Sequence, residues 1–167
     1  MQDIITTERL TLNVLTAGDY AFIMAILNTK GWIEFIGDRN VHSKDDAIAY
    51  IERINTTQNL TYWIVKLTGT NTPIGIISFI KRKYLDHFDI GFAFLPEFNG
   101  HGYAYEAAKE VLSIAGTYPE YSTILATTIP HNLQSIKLLT KLGLHFEKEI
   151  EVDNEKLCVY SNAIEVI

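Results

Sequence analysis

Across residues 88–112, FDIGFAFLPEFNGHGYAYEAAKEVL, the hydrophobic period changes from two to 3.6, and two glycines, Gly100 and Gly102, stand at the change. Phe88, Ile90, Phe92 and Phe94 share one face of an extended segment, with Asp89, Gly91 and Ala93 on the other. Beyond the glycines, Ala104, Ala107, Ala108, Val111, Leu112 and Ala115 fall on one stripe of a helix. A strand that turns tightly into a helix restricts the chain to folds in which helices cover a sheet. The small side chains and single carboxylate of the second strand face leave room for another body to lie there.

The flanking pattern extends this. RLTLNVL alternates Leu10, Leu12 and Val14 against polar neighbours and predicts a strand. TAGDYAFIMAILN then predicts a helix with Thr16 as cap, Asp19 three residues later, and Tyr20, Ile23, Met24 and Leu27 on one face. SKDDAIAYIERI repeats the device, with Ser43 as cap and Ala47, Tyr50, Ile51 and Ile54 inward. The intervening KGWIEFIGDRNVH reads as a loop carrying Trp32, Glu34 and Asp38. TYWIVKLT, PIGIISFIKRKYL and FDIGFAFLP are separated by short turn signals, so they predict antiparallel neighbours. STILATTI predicts a strand, and HNLQSIKLLTKLG a helix with Leu133, Ile136 and Leu139 inward and Gly143 as its stop. The chain closes with a hairpin around DNE. The order β, α, α, β, β, β, α, β, α, β, β predicts an α/β (α+β) fold, a mixed, mostly antiparallel sheet of about seven strands with helices on both faces.

The totals narrow the class. A chain of 167 residues, 47% of them hydrophobic, suits one domain spanning 1–167. Its one cysteine, Cys158, can form neither an internal disulfide nor a multi-cysteine metal site and reads as a packed strand residue. The start MQDIITTERL lacks the features of a signal peptide, and no apolar run reaches the roughly 20 residues that span a bilayer, which predicts a cytoplasmic protein without membrane partners. A formal charge of −6 argues against nucleic acid, whose phosphates need neutralising lysine and arginine. The histidines at 42, 87, 101, 131 and 145 show no metal-ligand spacing, so no metal is expected.

The glycine turn has two readings: a tight connection, or a cradle of main-chain N–H groups aimed at a phosphate. The second has a physical basis, because the first N–H groups of a helix lack helical partners and the helix dipole favours negative charge there. Two nucleotide motifs are excluded. No GxxxxGK[ST] occurs, and GxGxxG would require glycine where Tyr105 stands, with an acid closing a second parallel strand where Glu120 falls in a turn.

With FDIGFAFLPEFNGHGYAYEA followed some 30 residues later by ATTIPHNLQSIKLLTKLGLHF, and TTERLTL near the start, the chain resembles the GNAT superfamily of acyl-CoA-dependent N-acyltransferases, in particular its Rim-type ribosomal-protein N-acetyltransferase branch. The likeness covers nearly the whole chain and implies acetyl-CoA as cosubstrate. The family's pyrophosphate loop, Gln/Arg-x-x-Gly-x-Gly/Ala, falls on Asn99, Gly100, His101, Gly102, Tyr103 and Ala104. Asn99 departs from the usual first residue, which leaves more of the pyrophosphate to backbone amides, and His101 serves through its backbone. The resemblance further implies that pantetheine runs along the main chain of Phe92, Ala93, Phe94 and Leu95, where the family strand is splayed by a bulge. Asn132 and Ser135 match the family's Asn-x-x-Ser beside pantetheine and sulfur. Read without the family, Asn132 is a helix cap.

The implied reaction is attack of a neutral amine on a thioester carbonyl. Asp89, where many members place a glutamate, is the expected proton acceptor, acting through water. Its alternative is a carboxylate paired with Lys81 or Arg82. A backbone N–H near Ala93 is the expected oxyanion donor, and Ser135 the donor to the departing sulfur. Two family acid/base positions hold Thr127 and Leu139 instead. Trp32, Glu34 and Asp38 are expected to wall the acceptor side. A protein N-terminus is the leading acceptor. A small amine such as a polyamine or antibiotic is the nearest rival, a non-catalytic CoA-binding module stands as a third reading, and room is left for a homodimer.

Overall fold

The computed structural model describes residues 1–163. It contains one eight-stranded sheet, built from β1 (Ile4–Thr6), β2 (Leu10–Val14), β3 (Leu60–Leu67), β4 (Pro73–Ile80), β5 (Phe88–Phe94), β6 (Ile124–Thr128), β7 (His145–Val152) and β8 (Glu155–Ser161). The helices are α1 (Tyr20–Leu27), α2 (Lys30–Phe35), α3 (Lys44–Thr56), α4 (Tyr103–Ala115) and α5 (Leu133–Lys141). In the sheet the strands run β1-β2-β3-β4-β5-β6-β8-β7, antiparallel except where β5 meets β6. The parallel pair follows from the connection: α4 carries the chain back across the sheet, which a short turn cannot do.

The two faces of β5 separate as their alternation predicts. Ile90, Phe92 and Phe94 pack with Ala107, Ala108 and Val111 of α4 and Leu139 of α5. Ala93 packs on the opposite side with Ile23, Ile51 and Ile54 of α1 and α3. The sheet is thus covered on both faces. Gly75 of β4 leaves the space that the Phe94 ring occupies, since a Cβ there would fall 2.5 Å from that ring. Cys158 is a buried, free strand residue of β8.

Local signals account for most element ends. Ser43 and Asp46 form a reciprocal capping box at α3, with Asp46 N donating to Ser43 Oγ at 3.1 Å and Ser43 N to Asp46 Oδ2 at 3.0 Å. α3 buries Ala47, Tyr50, Ile51 and Ile54, as the spacing predicts. Thr16 and Asp19 also form a box, but it closes a 3₁₀ turn over Ala17–Asp19, and α1 begins only at Tyr20. The buried stripe of α1 is Phe22, Ile23, Ile26 and Leu27, while Tyr20 and Met24 lie at its edge. The β7–β8 hairpin turns on Asp153 and Asn154, both at positive φ.

Four expectations change. The sheet gains β1, three residues with only Ile5 buried, too short for its period to register. The segment expected as a loop contains α2, a helix of six residues capped by Thr29, whose Oγ1 accepts from Trp32 N. Leu133 opens α5 and is 65% exposed rather than inward, and Leu139 is the buried residue of that helix. No bulge interrupts β5: its pairing with β4 runs in constant register from Gly75–Phe94 to Ile80–Asp89. Among the described residues no helix is long and apolar enough to cross a membrane.

Candidate active site

Splaying does occur at β5, but on its other edge. β5 and β6 are paired only at Phe88–Ile124 and Asp89–Leu125, and beyond these residues the strands part. A cleft of ≈ 750 Å³ opens there. Gly91–Phe94 form one wall, Asn132, Ser135 and Leu138 of α5 another, and the loop at Asn99 and Gly100 closes one end. Trp32 and Phe35 of α2, Arg82, and the β7–β8 hairpin also line the cleft.

At the loop, Gly100 and Gly102 both have φ of +80°, and Gly102 caps α4 in the left-handed region. A Cβ on Gly100 would meet nothing within 4 Å, so glycine is needed there for backbone conformation rather than space. The first helical hydrogen bond is Glu106 N to Gly102 O, at 3.0 Å. Among the described residues, the N–H groups of Gly100, His101, Gly102, Tyr103 and Ala104 meet no protein acceptor. Five successive main-chain donors at the positive end of a thirteen-residue helix suit an anion with several oxygens. Asn99, Gly100 and Ala104 border the cleft, whereas His101, Gly102 and Tyr103 do not line it.

The main chain of β5 has a definite polarity. Leu95 N donates to Ile74 O on β4 at 2.9 Å. In regular register, alternate residues turn their N–H groups to the same neighbour, so Ala93 and Gly91 also point theirs at β4. The N–H groups of Phe92 and Phe94 therefore face the side where β6 has parted. With no bulge, the main-chain donors near Ala93 that face this side are those of its two neighbours, and Ala93 itself turns its N–H to β4.

Asn132 caps α5, its Oδ1 accepting from Ser135 N at 3.2 Å. Asn132 and Ser135 both line the cleft. The cap uses the oxygen of the amide and leaves its nitrogen for other work.

Asp89 is 1% exposed. Its Oδ2 accepts from Arg82 Nε at 2.8 Å and from Thr127 Oγ1 at 2.9 Å, while Oδ1 carries no donor among the described residues. Burial raises its carboxyl above the ordinary aspartate value, and the charge of Arg82 with the two hydrogen bonds draws it only part of the way back. Arg82 was foreseen as a possible partner, but Thr127 enters the site through Asp89 rather than as an acid or base.

The three residues expected on the acceptor side separate. Trp32 borders the cleft and is 5% exposed, its Nε1 buried without a hydrogen-bond partner among the described residues. Glu34 belongs to a shallow depression with Asn28, Lys30 and Ile33, and Asp38 accepts from Asn40 N within its own turn. Neither carboxylate borders the cleft. Asp153 and Glu155 of the hairpin do, and sequence reasoning passed over them. The DNE turn was the available signal, but which cleft its tip overhangs depends on β8 inserting between β6 and β7.

A family model for the acetyltransferase (GNAT) domain matches residues 9–145. The chain is 29% identical over 164 residues to the uncharacterized N-acetyltransferase YnaD of Bacillus subtilis (strain 168), covering 96% of this chain and 95% of that one. Its fold is similar to that of RimL, a ribosomal L7/L12 alpha-N-protein acetyltransferase solved with coenzyme A, at TM-score 0.83 and 12% identity, covering 98% and 99% of the two chains. A spermidine N-acetyltransferase SpeG chimera from Vibrio cholerae and hSSAT superposes at TM-score 0.75 and 17% identity, covering 91% and 93%.

Proposed function

We propose, for a chain that belongs to the GNAT acetyltransferase family and is thereby an acetyl-CoA-dependent N-acetyltransferase, that the acceptor is a primary amine and foremost the α-amine of a protein N-terminus. The observation that carries the site assignment is the run of unpartnered N–H groups from Gly100 to Ala104 at one end of a cleft whose other end holds the buried carboxylate of Asp89.

Acetyl-CoA supplies an electrophilic thioester carbonyl. Gly100–Ala104 hold its diphosphate through main-chain amides, with Asn99 adding a neutral side chain where a charge is more usual. Phe92 and Phe94 offer main-chain N–H groups along the open edge of β5, for pantetheine and for charge developing on the carbonyl oxygen. Asn132 Nδ2 and the Ser135 hydroxyl border the same space, Ser135 as the donor to the leaving sulfur. Asp89 accepts the amine proton at Oδ1 through water, and Arg82 and Thr127 keep the carboxylate in place.

The acceptor preference follows from how little base the site holds. At pH 7, deprotonating an α-amine of pKa about 7.7 costs roughly 1 kcal/mol, against roughly 4.6 for a lysine amine of about 10.4. A buried carboxylate already engaged by two donors suits the lighter demand. The likeness to RimL supports this reading. A small polycationic amine is the second reading, favoured by Asp153 and Glu155 at the acceptor end and supported by the SpeG likeness. Incubation with isotope-labelled acetyl-CoA, ribosomal proteins and a polyamine panel, followed by mass spectrometry, decides between them. Label on polyamines alone would overturn the N-terminal assignment.

A further inference from the structure

The loop at Gly100–Ala104 is contacted by a residue 92 positions away. Three carbonyls around the loop, those of Phe98, Asn99 and His101, are held by side chains. The Phe98 and Asn99 carbonyls accept from His101 Nδ1 at 3.3 and 2.9 Å, which places the ring proton on Nδ1. The His101 carbonyl accepts from Arg9 Nη1 at 3.1 Å. The same guanidinium grips the first turn of α4: Nε and Nη2 lie 2.7 and 2.6 Å from Glu106 Oε2. Glu106 Oε1 accepts from Arg9 N at 3.0 Å and from Thr7 Oγ1 at 2.6 Å. Arg9 also covers the Tyr103 ring at 4.6 Å, and that ring stacks on His101 at 5.6 Å.

From this bracket we infer that Arg9 is a positioning residue for cosubstrate binding: its guanidinium, held by Glu106, fixes the His101 carbonyl away from the cleft and so presents the Gly100–Ala104 amides to the diphosphate. The inference rests on the diphosphate reading of the loop given above. Arg9 acts through geometry and not through net charge, because Glu106 neutralises it at contact distance. A planar guanidinium is required, since one edge must serve the carboxylate while the remaining nitrogen reaches the carbonyl, a division that a lysine ammonium cannot reproduce.

The test measures acetyl-CoA KM, kcat and CoA affinity for Arg9→Met, Arg9→Lys, Thr7→Val and Gly102→Val, with 3′-dephospho-CoA as a second ligand. Arg9→Met is expected to raise the acetyl-CoA KM and the CoA Kd about tenfold, with kcat at saturation and the acceptor KM unchanged. Arg9→Lys should resemble Arg9→Met. Thr7→Val removes a bond to Glu106 without touching the loop and should leave both constants unchanged. The loss on Arg9→Met should be equal for CoA and 3′-dephospho-CoA. Rescue by lysine, an effect confined to CoA with its 3′-phosphate, or an equal loss on Thr7→Val would overturn the role given to Arg9. CoA affinity that survives Gly102→Val would overturn the loop reading itself, whereas affinity lost on Gly102→Val but kept on Arg9→Met would overturn only the present inference.

Discussion

Arg82 Nε donates to Asp89 Oδ2 across 2.8 Å, tying the segment that follows β4 to the first turn-free residues of β5. The bond compensates a carboxylate that burial has lifted above its ordinary value of 3.8. Since the carboxylate is the proton-accepting form, kcat should fall as pH drops through that raised value, not at 3.8. Asp89→Asn should lower kcat by about 10², remove that acidic limb, and leave the acetyl-CoA KM unchanged. Profiles of kcat against pH at saturating amine check this.

Arg82→Met withdraws the guanidinium beside Asp89 while burial persists. The carboxyl should rise further, and the acidic limb of kcat should move to higher pH. An unmoved limb would assign it to some group other than Asp89.

Burial alone would raise the Glu106 carboxyl, but hydrogen bonds from Thr7, the Arg9 main chain and the Arg9 guanidinium outweigh it and hold the group below its ordinary value of 4.5. A depressed folded value contributes stability that is present above pH 4.5 and lost as pH falls through the folded value. Glu106→Gln should therefore unfold more easily at pH 7, by about 1 kcal/mol given the exposure of Arg9. The gap between the proteins should close below pH 4.5, as measured by denaturant titration across pH.

Asn132 has a structural use and a proposed binding use, and two substitutions separate them. Asn132→Ala removes the cap of α5 and should cost about 1 kcal/mol of stability. Asn132→Ser keeps a capping oxygen but loses Nδ2, so it should retain stability while the acetyl-CoA KM rises. Equal KM values for Asn132→Ser and the unaltered protein would leave Asn132 as a cap alone.

Much of this was legible in residue order because it is local. The capping box at Ser43, the two faces of β5, the positive-φ glycines and the tight Asp153-Asn154 turn each depend on neighbours within a few positions. Where the local signal was short it failed: three residues of β1 and six of α2 do not complete enough periods to distinguish strand or helix from loop. Glu34 and Asp38 belong to the segment that the resemblance puts on the acceptor side, yet α2 leaves Glu34 in a surface depression with Asn28, Lys30 and Ile33.

By itself the sequence determined the alternation of strands and helices, the glycine turn at Gly100–Gly102 that opens α4, and the family to which these belong, since periodicity and motif spacing are properties of contiguous chain. Only tertiary structure decided which edge of β5 opens, that Phe92 and Phe94 rather than Ala93 aim their N–H groups into the gap, that Arg82 and Thr127 close on Asp89, and that Arg9, just ahead of β2, reaches the His101 carbonyl. Alternation tells which face a side chain takes, but the direction of a main-chain donor and the partner of a buried charge are set by whichever strand packs alongside.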